Sequence, residues 1–164
     1  MPTLVIGTPP TRQDPFSLPE ATERQYDYSN TLGPRPGQVF TPMPVLNGQF
    51  VANPPLFFNW SSTLKQAQAA PALQKIGVTQ AASGALSLNI PTEIAKKQNE
   101  IWILGLKPAN STRPTAYHLT GVQQYEITGP QTSISANLAP KTKPFLVLVQ
   151  QKGPGSLLAQ ALVE

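Results

Sequence analysis

Residues 145–149 read Phe-Leu-Val-Leu-Val, and residues 101–104 read Ile-Trp-Ile-Leu. Successive side chains of a strand point to opposite faces of the sheet, so an all-apolar run is apolar on both faces. Strands of this kind are typical of the centre of a sheet that is covered on both sides. The two runs therefore predict a mainly β fold built around two central strands.

Other segments alternate between inward-facing and polar residues, which is the pattern of a half-buried strand. The residues that share one face are Leu86, Leu88 and Ile90 in the first segment, Ile134, Ala136 and Leu138 in the second, and Tyr117, Leu119, Gly121, Gln123, Tyr125 and Ile127 in a longer third. Gly121 marks a predicted bulge in the third strand. Several short strands separated by turn signals predict a small β-sandwich or barrel.

Two segments carry helix signals. Ser17 and Glu20 have the spacing of a capping box, with Pro19 in the first turn, and they predict a short helix over 18–26. Residues 61–70 begin with a capping serine and predict a second helix that ends before Pro71. The fold is therefore expected to contain one or two short helices beside the strands.

Asn47-Gly48 gives the strongest hairpin signal in the chain. The pair lies between apolar residues and supplies the two positive-φ positions of a type I′ turn. Residues 3–7 have the composition of a short added strand. The apolar segment 157–163 fits either a helix or a strand, and the sequence does not distinguish the two.

The first 60 residues differ in composition from the rest of the chain. They contain 11 of the 19 prolines and have a net charge of −1, whereas residues 61–164 have a net charge of +5. The chain as a whole is 40% hydrophobic, below the roughly 45–50% usual for globular proteins. We therefore predict an extended proline-rich N-terminal arm over 1–60 and a β-rich domain over 61–164, with the boundary near Trp60.

Residues suited to catalysis are scarce. The chain has no cysteine, and its one histidine, His118, lies in a predicted strand on the face opposite Tyr117 and Leu119. Glu23 and Asp27 share a helix face and could hold a metal ion together with His118, although a solvated helix end explains them more simply. Prolines interrupt the glycine-rich stretches, which therefore do not form a phosphate-binding loop. The prediction is a protein without enzymatic activity, catalytic residues, cofactor or metal.

Aromatic residues of the predicted arm are the candidate partner-binding residues, because aromatic side chains are enriched at protein–protein contacts. They are Phe16, Tyr26, Tyr28, Phe40, Phe50, Phe57, Phe58 and Trp60. The segment 56–60 has an equal alternative, which is that it folds back on its own domain. The lysines of 61–164 are scattered along the sequence, so an acidic protein surface is a better expected partner than nucleic acid.

A compact β domain with a long strap is the plan expected of a structural protein in a large assembly. We expect a bacteriophage capsid cement or decoration protein that straps across neighbouring capsid subunits and self-associates as a dimer or trimer. A tail or neck component of the virion and a carbohydrate-binding β module are the alternatives. The apolar runs are too short to span a bilayer, and the start lacks a basic signal region, so the expected location is the virion after synthesis in the host cytoplasm.

Overall fold

The computed structural model describes residues 18–33, 36–39, 44–51, 60–108 and 117–164. The chain divides into two compact units. The N-terminal unit comprises residues 1–72 and 153–156, and the β unit comprises residues 73–152 and 157–164. The division after Ala72 lies beyond the predicted boundary near Trp60, since the second helix belongs to the N-terminal unit.

Helix α1 of the N-terminal unit spans Pro19–Leu32, six residues beyond the predicted end at Tyr26. Its N-cap is Leu18, and Ser17, on which the predicted capping box rests, lies outside the described residues. Proline in the first turn fixes the helical φ at a position where the missing N–H costs little. Helix α2 spans Trp60–Ala69, close to the predicted 61–70.

The Asn47-Gly48 hairpin is confirmed. Strands β1 (Val45–Leu46) and β2 (Phe50–Val51) pair antiparallel, with φ of 51° at Asn47 and 69° at Gly48. The Gln49 N–H donates to the Leu46 carbonyl at 3.0 Å and closes the turn. Asn47 Nδ2 donates to the carbonyl of Ala67 at 2.9 Å, so the turn also satisfies an acceptor in the last turn of α2.

The β unit holds the remaining described strands. They are β3 (Gln74–Lys75), β4 (Gly77–Gln80), β5 (Leu86–Asn89), β6 (Asn99–Pro108), β7 (Tyr117–Glu126), β8 (Gln131–Ile134), β9 (Phe145–Gln151) and β10 (Leu157–Val163). Within the described residues, one sheet has the order β3-β10-β9-β6-β7 and the other the order β4-β5-β8. The all-apolar runs lie in β6 and β9, which occupy interior positions of the larger sheet as predicted.

The two sheets of the β unit share one core. Leu88 of β5 and Ile134 of β8 contribute from the smaller sheet, and Ile101, Phe145 and Val149 contribute from the larger one. The prediction of a mainly β fold with a sandwich-like domain and short helices is confirmed. The N-terminal part of the predicted arm, residues 1–17 with the possible strand at 3–7, lies outside the described residues and stays a prediction.

The predicted bulge lies next to Gly121. Gly105 of β6 is opposite Gly121, whereas Leu106 is opposite Leu119, which leaves Thr120 as the extra residue of β7. A Cβ atom on Gly105 would lie 2.6 Å from Thr120 Oγ1, so a glycine at 105 makes room for the bulged side chain.

Two strand predictions change. Strand β8 ends at Ile134, and residues 136–138 form a turn in which the Leu138 N–H donates to the Ser135 carbonyl at 2.9 Å. The predicted extension through Ala136 and Leu138 is therefore wrong. Segment 157–163, for which the sequence did not distinguish helix from strand, is strand β10, which pairs antiparallel with β9. In the described ranges, no helix is both long enough and apolar enough to cross a membrane.

Tyr125 of β7 gives the β unit a predicted sensitivity to alkaline pH. Its hydroxyl donates to the carbonyl of Leu138 and lies 2.9 Å from Gln123 Oε1, and burial raises the pKa of Tyr125 above 10.0. Because the pKa of Tyr125 is higher in the folded chain than in the unfolded chain, its neutral hydroxyl contributes stability that is fully present below pH 10.0. This contribution is lost as the pH rises through the pKa of the folded state. We expect urea unfolding of the wild type to show this extra loss of stability above about pH 10. Tyr125→Phe should lack this contribution and cost about 1 kcal/mol at neutral pH. Identical alkaline profiles for the two proteins would contradict the assignment.

Candidate partner-binding site

Helix α1 presents an exposed face that contains an aromatic side chain. Its buried residues, Ala21, Gln25, Tyr28 and Ser29, recur at the spacing of one helical stripe. The opposite side, which we call the α1 outer face, consists of Glu20, Glu23, Tyr26 and Asp27. Tyr26 is 48% exposed, and the carboxylates of Glu23 and Asp27 belong to the same exposed face of the helix.

Tyr28 belongs to the buried side of the same helix. Its side chain is only 5% exposed, and the Arg24 guanidinium lies 5.1 Å from its ring centre while Nη2 donates to its hydroxyl at 3.1 Å. The structure therefore places Tyr28 on the buried side of α1, and its predicted contact with a partner stays a prediction. The spacing of Tyr28 from Ala21 and Gln25 carries the signal, because residues at i, i+4 and i+7 share a helix face.

The other predicted anchors divide into two groups. Phe50 is half-buried in β2, where it pairs with Leu46, and Trp60 is the first residue of α2. Phe16, Phe40, Phe57 and Phe58 lie outside the described residues. Tyr26 is thus the predicted anchor for which the structure shows an exposed side chain on a regular helix.

The β unit contains a buried carboxylate on one of its central strands. Glu100 lies in β6 with a 3% exposed side chain. Its Oε1 accepts from Trp102 Nε1 at 2.7 Å, and its Oε2 accepts from Gln124 Nε2 at 2.6 Å. Gln150, also buried, is its neighbour across β9. Both oxygens of Glu100 are therefore engaged in bonds that join β6 to β7 and fix the indole.

The remaining candidates for chemistry belong to different units. His118 lies in β7 opposite Lys107, whereas Glu23 and Asp27 lie on the α1 outer face. Among the described residues, no group of three or more His, Cys, Asp or Glu side chains is arranged to hold a metal ion.

The fold brings together lysines that are far apart in the sequence. The Lys152 N–H donates to the Gln98 carbonyl at 2.9 Å, next to the terminal β6–β9 pair Asn99 and Gln151. Lys96 and Lys97 precede Gln98 on the adjoining loop, and all three lysines are exposed. We call Lys96, Lys97 and Lys152 the lysine patch. Sequence analysis missed it because 55 positions separate Lys97 from Lys152 along the chain.

The fold resembles that of a known crystal structure. A protein of Agrobacterium tumefaciens, solved as a structural genomics target, superposes with a TM-score of 0.64 over 95% of this chain and 75% of its own. The two sequences are 16% identical, so the likeness shows a shared fold alone. No curated protein matches the sequence.

The sequence itself matches one family. The match covers residues 12–123, which include α1, the hairpin, α2 and the β unit through most of β7. This is more than half of the chain. The protein therefore belongs to the DUF1223 family, whose description is "protein of unknown function".

Proposed function

We propose that this chain is a structural protein that docks on neighbouring subunits of a large assembly through the α1 outer face. The observation that carries the proposal is the exposure of Tyr26, at 48%, on a helix whose other side is buried. A tyrosine held on a regular element provides a large contact area and loses little entropy on binding, which is why aromatic residues dominate binding energy at interfaces.

More specifically, we propose that the large assembly is a virion. A cement or decoration protein of a bacteriophage head would use the proline-rich arm as a strap across capsid subunits, with tail or neck placement as the alternative. Proline restricts the free chain, so less entropy is lost when a proline-rich segment becomes ordered on a partner. Eleven prolines in the first 60 residues support this plan. Such a protein would be made in the host cytoplasm, join the virion and contact its own copies.

A carbohydrate-binding β module is less well supported. Sugar recognition of that kind needs aromatic rings exposed side by side on the β unit. Trp102 is half-buried and donates its Nε1 hydrogen to Glu100, and the hydroxyl of Tyr125 is bonded to Leu138. Specific binding of the chain on a glycan array would favour this alternative over the proposed one.

The docking proposal is tested by one charged substitution on α1. The wild-type chain is expected to co-sediment with particles purified from its source, and Tyr26→Asp should weaken this binding by at least about tenfold, the loss typical of an interface anchor. Leu162→Asp is the matched control, because Leu162 is 47% exposed on β10 and the change in charge is the same. Equal binding of Tyr26→Asp and Leu162→Asp would refute a role for the α1 outer face.

A further inference from the structure

The lysine patch is built on fixed backbone rather than on a free loop. The loop that carries Lys96 and Lys97 begins with the N–H groups of Ile94 and Ala95 donating to the Pro91 carbonyl, each at 3.0 Å. The Lys96 N–H then donates to the Ile94 carbonyl at 2.9 Å. These bonds hold the two lysines at the start of β6.

Hydrogen bonds of Asn99, the first residue of β6, connect this loop to the sheet. Its side chain is buried, and its Nδ2 donates to the Ile94 carbonyl at 2.8 Å while its backbone N–H donates to the Lys96 carbonyl at 3.0 Å. On the neighbouring strand, Lys152 follows β9 directly and is joined to Gln98 through its backbone. The backbones of the three lysines therefore lie at the same end of the larger sheet, beside the terminal β6–β9 pair.

We propose that the lysine patch is a second docking surface, which binds a cluster of carboxylates on a partner protein of the assembly. The proposal rests on the docking function proposed above and adds the chemistry of one contact. Lysine ammonium groups are compact point charges with three donors each, which suits carboxylates arriving from several side chains. Complementary charge of this kind steers association and fixes the orientation of a partner.

The surroundings of the patch favour a protein over a nucleic acid. Exposed neighbours are the amides Gln98 and Gln151 and the carboxylate of Glu93 on the same loop. Glu93 repels a phosphate and a partner carboxylate alike, so the choice between the two rests on the other neighbours. Nucleic-acid surfaces also combine positive charge with aromatic rings on which bases stack. The nearby indole of Trp102 is half-buried and bonded to Glu100 instead.

The test uses fluorescence anisotropy on the full-length chain with two labelled probes of equal charge, a poly-L-glutamate peptide and a single-stranded DNA. The wild type is expected to bind the peptide more tightly than the DNA at low salt. The triple variant Lys96→Glu/Lys97→Glu/Lys152→Glu should bind the peptide about tenfold more weakly or worse, since three favourable charges become repulsive. The matched control is Lys75→Glu/Lys107→Glu/Lys141→Glu, which changes three exposed lysines elsewhere in the β unit by the same total charge.

Each outcome decides the proposal. A large loss in the patch variant with less than about a threefold loss in the control supports it, because a general charge effect would weaken both alike. Equal losses in the two variants, no binding by the wild type, or tighter binding of the DNA would overturn it. Co-sedimentation with particles separates this inference from the docking function. If the patch variant binds particles like the wild type, the patch proposal fails while the docking function stands.

Discussion

Phe145→Ala is expected to lower the free energy of unfolding by about 3–5 kcal/mol, the range for removing a buried phenylalanine from a packed core. Phe145 is the first residue of β9 and is fully buried. It is opposite Gly105 of β6 and Val163 of β10, and it packs in the core that both sheets share. The alanine variant would leave a cavity that strands fixed on both sides cannot close.

Urea unfolding followed by circular dichroism measures this change. Leu162→Ala is the control, because Leu162 lies on β10 beside Val163 but is 47% exposed, and its truncation should stay within about 1 kcal/mol of the wild type. A loss below about 1 kcal/mol for Phe145→Ala would contradict the packing of the two sheets around this ring.

Glu100→Ala is expected to cost about 1–3 kcal/mol, because it removes at once both acceptors of a part-buried polar cluster. The Trp102 indole N–H and the Gln124 amide would each lose a short bond to a carboxylate, and bonds to a charged acceptor are stronger than neutral ones. The loss should appear together with a shift in tryptophan fluorescence, since the indole would meet a different environment.

Glu126 offers a matched control for this substitution. It is directly opposite Glu100 on β7 but is exposed, and like charges in cross-strand positions disfavour pairing. Glu126→Ala should therefore leave stability unchanged or raise it slightly. If Glu100→Ala were as mild as Glu126→Ala, the buried carboxylate would have no structural role.

The local sequence pattern was sufficient to predict those elements whose surroundings in the fold match the pattern. The apolar runs in β6 and β9 became interior strands, and Asn47-Gly48 adopted positive φ at both residues. These predictions hold because an all-apolar strand needs cover on both faces and because few residue pairs tolerate a type I′ turn. Helix α2 ends at Ala69, as Pro71 predicts, but it begins at Trp60, so the predicted capping serine, Ser61, lies inside the helix.

The errors arise where distant parts of the chain decide the outcome. Glu100 follows Lys97 by three residues in an otherwise polar stretch, yet the ladder places it between Gln150 and β7, where its oxygens accept hydrogen bonds. Alternation through Ala136 and Leu138 suggested a strand, but the backbone turns at Ser135. Contacts between positions remote in sequence also created the lysine patch. These contacts join residues from different segments, so the pattern of any one segment does not predict them.

Helix α1 combines a start that its local sequence predicted with an end that depends on contacts elsewhere in the chain. Pro19 and Glu20 marked its start, but its continuation to Leu32 depends on the burial of Tyr28 and Ser29, and Ser29 Oγ donates to the Gln38 carbonyl at 2.8 Å. Burial of that side turned one predicted anchor inward and left Tyr26 outside. The candidate site is therefore smaller than the predicted row of aromatics.

Hydrogen exchange of α1 is the most direct test of docking through the α1 outer face. Amide exchange across Pro19–Leu32 would be compared between the free chain and the chain bound to particles purified from its source. We expect slower exchange on the particle in the turns that carry Tyr26 and Asp27, and Tyr26→Asp should abolish the difference. Unchanged exchange in α1 on particles that do carry the chain would contradict the account.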